Sequence, residues 1–241
     1  MARETLTRDQ IVKAALELLD AEGLEGLNMR ALGRQLDSAA TAVYWHVGTK
    51  EDLISLAGDR AWTEVELPDP AELGWREAAS RMAASLYAML SRHTWLVQAF
   101  GAYPMYGPGK ARHDEHSLAL YEAAGFVGAE VDQAAATVFT FVLGSALGPA
   151  AAASFGRKLA KHGDVEERLQ ASQAAAIEVA KQFPRLTTRL ETPSADYASG
   201  PEGGFEFGLR AVLDGLERQI ERRNTGGGVE PDALPPRPHL S

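Results

Sequence analysis

Apolar side chains recur three or four residues apart along most of this chain, and no segment shows the strict apolar–polar alternation of a half-buried strand. The first apolar stripe consists of Ile11, Ala15, Leu18 and Leu19. Thr7 and Gln10 precede it with the spacing of a capping box, and Gly23 marks its end. This periodicity predicts an all-α fold.

Short helices are predicted immediately after this first one. Asn28 is a suitable N-cap for a second helix, a tight turn is expected near Asp37 and Ser38, and a third helix is expected over about 39–46. Two short helices joined by a turn of three or four residues form a helix-turn-helix. In the third helix Val43 would face the core. Small and hydroxyl-bearing residues would lie on the opposite face, as suits a helix in a DNA major groove: Ala40, Thr41 and Tyr44.

The proline pair in Leu67-Pro68-Asp69-Pro70 divides the chain into a small and a large helical part. We expect a helix-turn-helix domain at 1–50, a connecting helix at 51–66, a larger helical domain at 67–224 and a disordered tail at 225–241. Six longer helices are predicted in the larger domain: about 74–92, 95–102, 110–124, 129–158, 165–183 and 204–223. A loop is expected at 192–203.

Composition narrows the class of protein. The chain has no cysteine, which excludes disulfide scaffolds and thiolate chemistry, and no cofactor is expected. We find no uninterrupted apolar run of about 20 residues and no signal peptide, so a cytoplasmic location without a membrane partner is expected. The net charge of −9 argues against a general affinity for nucleic acid, although phosphate contacts depend on local placement of donors.

Several sequence phrases carry a family resemblance. LGRQL and AVYWHVGTKEDL, within residues 32–53, resemble the signature of the TetR (tetracycline repressor) family. GPGKARHDEHSLALYEAAGF and FEFGLRAVLDGLERQIE resemble the C-terminal domain of the tetracycline-repressor branch. The resemblance implies a homodimeric, ligand-responsive transcriptional regulator, released from a palindromic operator in double-stranded DNA by a small-molecule effector.

The resemblance also assigns DNA contacts. Asn28 would bond a phosphate and Arg30 would reach a base edge. Residues expected to face the bases are Ala40, Thr41 and Ala42, and those expected to clamp phosphates are Tyr44, His46 and Lys50. Trp45 is expected to be a core aromatic. Asp37 stands where the family usually has glycine, but aspartate tolerates left-handed backbone well enough to keep the turn.

Two further sets of apolar residues have alternative interpretations. The first fits a dimer interface on two helices, or ordinary core: Phe139, Leu143, Leu147, Leu209, Leu213, Leu216 and Ile220. The second fits the lining of an effector pocket, or again ordinary core: Met82, Leu86, Met89, Phe100, Tyr103, Met105, Tyr106 and Tyr121. Met82, Gly101 and Met105 fall where a magnesium-chelated tetracycline would need polar contacts, so we expect a more apolar or aromatic effector.

Other chemistry is weakly supported by the sequence. His113, Asp114 and His116 could suggest a metal site, but a solvated helix face is the preferred interpretation, and no metal is expected. His93 is interpreted as a partner of its helix dipole. A helical enzyme that retains a helix-turn-helix remnant is an alternative, although no nucleophile with its base or carboxylate pair is found. A DNA-binding protein without an effector is another.

Overall fold

The computed structural model describes residues 6–160, 165–191 and 202–225, and over these ranges the chain forms twelve α-helices and no strand. The predicted all-α fold is confirmed. The loop expected at 192–203 lies outside the described residues, except that the last helix begins at Glu202. The tail expected at 225–241 also lies outside them, except for Thr225 at the end of that helix.

Four helices form the N-terminal part: α1 (Arg8–Gly26), α2 (Met29–Gln35), α3 (Ala40–Val47) and α4 (Lys50–Trp62). The predicted capping box is present at α1, where the Thr7 side chain accepts from the Gln10 amide and the Gln10 side chain accepts from Thr7. Gly23, the predicted end of the first helix, has a φ of 71° and interrupts α1 there. Sequence-encoded caps therefore set where these helices begin and break.

Eight helices follow: α5 (Pro70–Leu73), α6 (Trp75–Arg92), α7 (Trp95–Ala99), α8 (Pro108–Ala123), α9 (Ala129–Ala160), α10 (Val165–Ala180), α11 (Pro184–Leu190) and α12 (Glu202–Thr225). Six of them correspond to predicted helices. The sequence analysis missed α5 and α11, which are both short and begin at a proline; Pro70, at the start of α5, was interpreted as part of a break. Proline is tolerated in the first helical turn, where its missing N–H needs no partner.

The two parts of the chain share one hydrophobic core. The connecting helix α4 packs on α1 on one side and on α8 on the other, whereas α9 packs against α6, α8 and α12. Aromatic rings fill the space between α6, α9 and α12, since Phe205 stacks on Tyr87 and Phe141 with centroid separations of 4.1 and 5.6 Å. The larger part therefore contacts the N-terminal part both through α4 and through α7, which packs on α1.

Helix α9 bears on the expectation that the chain has no membrane-spanning segment. Among the described residues it is the one helix long and apolar enough to cross a membrane, with a mean hydropathy of 1.6 in its most apolar window. No charged residue lies between Asp132 and Arg157, a stretch that we overlooked because glycine, serine, threonine and proline interrupt it. Only 22% of that window is buried within this chain. A second protein surface that covers α9 would account for both properties.

Candidate nucleic-acid interface and interior cavity

The turn between α2 and α3 is built on close backbone packing. The Ser38 amide donates to the Gly33 carbonyl at 2.8 Å, and a Cβ placed on Gly33 would lie 2.7 Å from the Ser38 carbonyl oxygen. Asp37 takes the left-handed conformation with a φ of 46°, which confirms that aspartate keeps this turn. Val43 is fully buried and holds α3 against the small domain. The chain therefore forms the predicted helix-turn-helix.

Thr41 and Tyr44, which the sequence analysis assigned to DNA, lie on the outward face of α3, whereas Ala40 packs partly against the hydrophobic core. Thr41 is exposed, Ala40 and Ala42 are half-buried, and 49% of Tyr44 is exposed. Trp45 was predicted to be core and that prediction is wrong, since 84% of it is exposed. Its ring lies edge-on to His46 at 5.3 Å between centroids. The rings of Tyr44 and Trp45 and the Tyr44 hydroxyl thus protrude near the end of α3, where they are available to a nucleic-acid backbone.

Residues that flank α3 are held by local hydrogen bonds. The Asn28 side chain accepts from the Ala31 amide at 2.8 Å and donates to the Gly26 carbonyl at 3.1 Å, so it both caps α2 and lies on the surface. Arg30 is exposed on the same helix. The Lys50 ammonium donates to the carbonyl of Leu24 at the end of α1, at 3.2 Å, and remains half-buried. These contacts place donors on both sides of α3.

The larger part encloses a cluster of aromatic rings around Trp62, the last residue of α4. The Trp62 ring lies 4.8 Å from His113, 6.1 Å from Phe100 and 6.2 Å from Phe139, measured between centroids. The Lys110 ammonium lies over the Trp62 ring at 5.2 Å from its centroid. Cation–π attraction favours this placement and sets a positive charge at one side of the cluster.

A small cavity of about 10 Å³ adjoins this cluster. Its principal lining residues are Met82, Leu86, His113, Ser117, Tyr121 and Phe139. Three buried polar atoms here and in the adjoining cluster have no hydrogen-bond partner: Nε2 of His113, the hydroxyl of Tyr121 and Nε1 of Trp62. Burial also raises the pKa of the Tyr121 phenol, which keeps its proton available for donation. Unpartnered buried polar atoms cost free energy, and a bound molecule with complementary groups would remove that cost.

Only some of the predicted pocket residues line the cavity. Met82, Leu86 and Tyr121 line the cavity, and Phe100 belongs to the aromatic cluster. Met89 and Met105 are buried and Tyr103 is half-buried, but none of them lines the cavity. Tyr106 is 85% exposed, so its placement in an enclosed pocket was wrong.

Four of the principal residues of this site were not assigned to a pocket by the sequence analysis: Trp62, His113, Ser117 and Phe139, of which Phe139 was placed at the dimer interface. His113, Ser117 and Tyr121 lie four residues apart and therefore share one face of α8, a spacing that could have identified two of them. The interpretation of His113 as part of a solvated face was wrong, because it is buried. His116 instead bonds the Pro68 carbonyl at 2.8 Å. Within the described ranges, no group of three possible metal ligands occurs.

Helix α4 is tied to the larger part near this cavity. Asp59 accepts from the Lys110 amide in the first turn of α8 at 3.0 Å, and the Ser55 hydroxyl donates to the Pro104 carbonyl at 2.9 Å. Gly109 allows α4 and α8 to approach, since a Cβ there would lie 2.4 Å from the Asp59 carbonyl oxygen. Any movement of α8 or of Trp62 must therefore be accommodated by α4.

The predicted dimer residues divide into two groups. Leu209, Leu213 and Leu216 are buried inside this one chain and Phe139 contributes to the aromatic cluster, so their assignment to a dimer surface was wrong. Leu143 and Ile220 are half-buried, and Leu147 is 57% exposed. Phe207, which the sequence analysis did not select, is 72% exposed on α12. The open apolar surface thus includes Leu147 of the predicted stripe on α9, whereas on α12 it lies beside the predicted stripe, at Phe207.

Matches to family models decide the classification. Residues 11–57 match the model described as "Bacterial regulatory proteins, tetR family", and residues 67–220 match the model described as "Tetracyclin repressor-like, C-terminal domain". The chain belongs to the TetR family of transcriptional regulators. The family resemblance noted in the sequence is confirmed, as is the combination of a helix-turn-helix domain with a larger helical domain.

Individual relatives agree with this assignment. An HTH-type transcriptional regulator of Saccharopolyspora erythraea is 41% identical over 140 residues, which are 58% of this chain and 59% of that protein. The HTH-type transcriptional repressor DrrR1 of Streptomyces coeruleorubidus is 31% identical, with 92% of this chain and 81% of that protein covered. The crystal structure of ActR from Streptomyces coelicolor in complex with actinorhodin is 29% identical, with a TM-score of 0.66 over 89% of this chain and 96% of that one.

Proposed function

We propose that this TetR-family regulator is a cytoplasmic homodimeric repressor, not an enzyme, that binds a palindromic operator through α3 and leaves it when an aromatic effector enters the interior cavity. The observation that carries the effector assignment is the set of three unpartnered polar atoms in and beside an apolar cavity, one of them on Trp62 of α4. We also propose that residues 1–50 form the DNA-binding domain, residues 51–66 the connecting helix, and residues 67–224 the effector-binding and dimerisation domain.

On DNA, the small side chains of Ala40, Thr41 and Ala42 let α3 approach the base edges. Tyr44, His46 and Lys50 contact phosphates, and Trp45 adds an exposed ring beside them. Because the chain carries a net charge of −9, affinity depends on these few donors rather than on a basic coat. Two copies read two half-sites one helical turn apart, as the symmetry of a dimer requires.

The effector binds by opening the cavity. A volume of about 10 Å³ holds no more than one water, so an aromatic molecule is accommodated only when Trp62 and the facing residues of α8 move apart. The effector therefore prefers an open state, and α4 follows through Asp59 and Trp62. A displaced α4 changes the separation of the two reading helices, which are the two copies of α3 in the dimer. This change weakens operator binding.

The chemistry of the cavity favours a planar aromatic effector with hydroxyl or carbonyl groups. Aromatic rings offer stacking surfaces, while Tyr121, His113 and Trp62 offer unused hydrogen-bond capacity. The ActR complex with actinorhodin supports this class. Met82 lines the cavity and has no oxygen atom suited to magnesium, so we expect magnesium-chelated tetracycline to bind weakly.

Operator selection from random DNA with the full chain, followed by fluorescence anisotropy, tests the proposal. We expect an inverted repeat to be selected and actinorhodin to raise the operator dissociation constant at least about tenfold, a coupling of about 1.4 kcal/mol. Tyr121→Phe should reduce this response while operator affinity without effector stays the same. Failure to select any sequence would contradict the DNA-binding proposal, and selection with no response to aromatic probes would favour an effector-independent DNA-binding protein.

The roles of Arg30 and Lys50 are separable by a salt titration. Lys50→Ala should reduce the slope of log affinity against log salt by about one unit, because one phosphate contact is lost. Arg30→Ala should additionally relax the sequence preference at one operator position. Equal slopes for wild type and Lys50→Ala would show that Lys50 serves only its bond to the Leu24 carbonyl.

A further inference from the structure

An ionic cluster around the buried His93 ring lies where the N-terminal part meets the larger part, and its carboxylates are partly exposed. His93, with 2% of its surface exposed, contacts Asp20 of α1 through Nδ1 at 2.7 Å and Glu64, just after α4, through Nε2 at 3.2 Å. The sequence analysis interpreted His93 as a partner of its own helix dipole, and the structure corrects this. His93 follows the last residue of α6, and its partners are two carboxylates from other elements.

The geometry requires a charged ring. An ionised carboxylate only accepts hydrogen bonds, and a neutral imidazole donates from only one nitrogen. With both ring nitrogens against carboxylate oxygens, the two bonds form together only in the imidazolium. A neutral ring would place a lone pair against one of the carboxylates in a buried site, which is repulsive.

The surrounding charged groups reinforce this arrangement. The same oxygen of Asp20 accepts from Nε1 of Trp95 in α7 at 2.9 Å, and Arg92 of α6 donates to Glu64. From α9, Arg157 contributes a positive charge and contacts the Thr94 hydroxyl at 3.5 Å. Two cations bond the carboxylates directly when His93 is protonated, namely His93 and Arg92. Loss of the His93 proton leaves one negative charge in excess among these four groups.

We propose that His93 is a positioning residue that fixes α1, and with it the reading helices, to the larger domain by bridging Asp20 and Glu64 as an imidazolium. The effect on DNA rests on the proposed function above. A dimer binds two half-sites only when both reading helices are held at the right separation, and an unfixed helix must be ordered on binding. Loss of the bridge therefore weakens operator binding.

The bridge is sensitive to pH in a defined direction. Burial lowers the pKa of His93, but the hydrogen bonds and charges of Asp20 and Glu64 outweigh it, and the pKa lies above its ordinary value of 6.5. A group whose pKa is raised by folding contributes its full stabilisation below the unfolded value and loses it as pH rises through the folded value. The bridge is thus complete below about pH 6.5 and is lost at higher pH.

The test compares operator dissociation constants between pH 6 and 9, at fixed ionic strength, for the full-length wild type, His93→Gln and Asp20→Asn. Wild-type affinity should fall at least about threefold more than that of His93→Gln over this range, because only wild type loses a bridge. His46 is present in both proteins, so any contribution that it makes to DNA binding cancels in the comparison. His116→Gln, a histidine outside the cluster, is the matched control and should retain the wild-type profile. Identical profiles for wild type and His93→Gln would overturn the proposal.

Nuclear magnetic resonance of the histidine rings gives a second readout without DNA. In the free wild-type protein, the His93 ring nitrogens should titrate with a midpoint above 6.5, and Asp20→Asn should lower that midpoint. A wild-type midpoint at or below 6.5 would overturn the proposal even if the variants fail to fold. A charged ring in a protein that binds no operator would instead contradict the proposed function alone.

Discussion

At the scale of single residues, the turn between α2 and α3 depends on two backbone positions. Asp37 adopts a φ of 46°, which brings its Cβ close to its own backbone, and Gly33 is packed against the Ser38 carbonyl. The two positions differ in the side chains that they can accommodate. Position 37 would accept glycine more readily than aspartate, whereas position 33 has no room for any side chain.

Asp37→Gly should stabilise the protein. Glycine removes the steric cost of left-handed backbone, and part of this gain is offset by its greater freedom in the unfolded chain, so the free energy of unfolding should rise by about 0.5 kcal/mol. Asp37→Ala is the matched comparison and should be destabilising, because alanine keeps the Cβ and tolerates left-handed backbone less well than aspartate. Urea denaturation measures both. A more stable Asp37→Ala would contradict the assigned backbone conformation.

Gly33→Ala should destabilise the protein by about 1–3 kcal/mol, because the new methyl group overlaps the Ser38 carbonyl and forces the turn apart. The same substitution at Gly156 is the control. That glycine lies in α9 with nothing within 4 Å of an added methyl group, so alanine there should be neutral or stabilising by up to about 1 kcal/mol. Thermal unfolding that gives equal losses for both variants would show that the turn is not closely packed.

At the scale of helices, Asn28 combines a structural and a binding role. Its side chain caps α2 through the Ala31 amide and is exposed beside the predicted DNA surface. Asn28→Asp keeps a good cap and places a negative charge near phosphate, so stability should stay within about 0.5 kcal/mol of wild type. Operator affinity should nevertheless fall, as anisotropy would measure.

Asn28→Ala provides the complementary case. It removes the cap and should cost about 1 kcal/mol of stability, with a smaller loss of operator affinity than Asn28→Asp because it introduces no repulsion. If Asn28→Asp bound the operator as tightly as wild type, Asn28 would be a cap and nothing more.

Helix boundaries and caps are the features that the sequence predicted best, because Thr7 and Asn28 act on amides three residues away. The orientation of Trp45 could not be predicted in this way. An aromatic ring on a short helix suits either core or ligand contact, and only the packing of Val43 decides which face is turned inward. The hydrogen bonds of His93 could not be predicted from the sequence either, because Asp20 and Glu64 are distant from it along the chain.

At the scale of the whole molecule, apolar stripes on α9 and α12 did not distinguish intramolecular from intermolecular packing. Leu209, Leu213 and Leu216 fill the core of one chain, whereas Leu147 and Phe207 remain open. Gly144 and Gly148 have nothing within 4 Å of an added Cβ, which leaves a smooth surface beside Leu147. A second copy that packs its own α9 and α12 here would bury this surface and complete a four-helix interface.

Leu147→Glu tests that arrangement. An unpaired carboxylate at the centre of an apolar interface is costly, so the variant should sediment as a monomer at concentrations where wild type is a dimer. Its operator affinity should fall at least about tenfold, since a monomer engages one half-site at a time. Val127→Glu is the matched control, because Val127 is an exposed apolar residue on the loop before α9. That variant should remain dimeric and bind as wild type, whereas a dimeric Leu147→Glu with normal affinity would exclude this face of α9 as the interface.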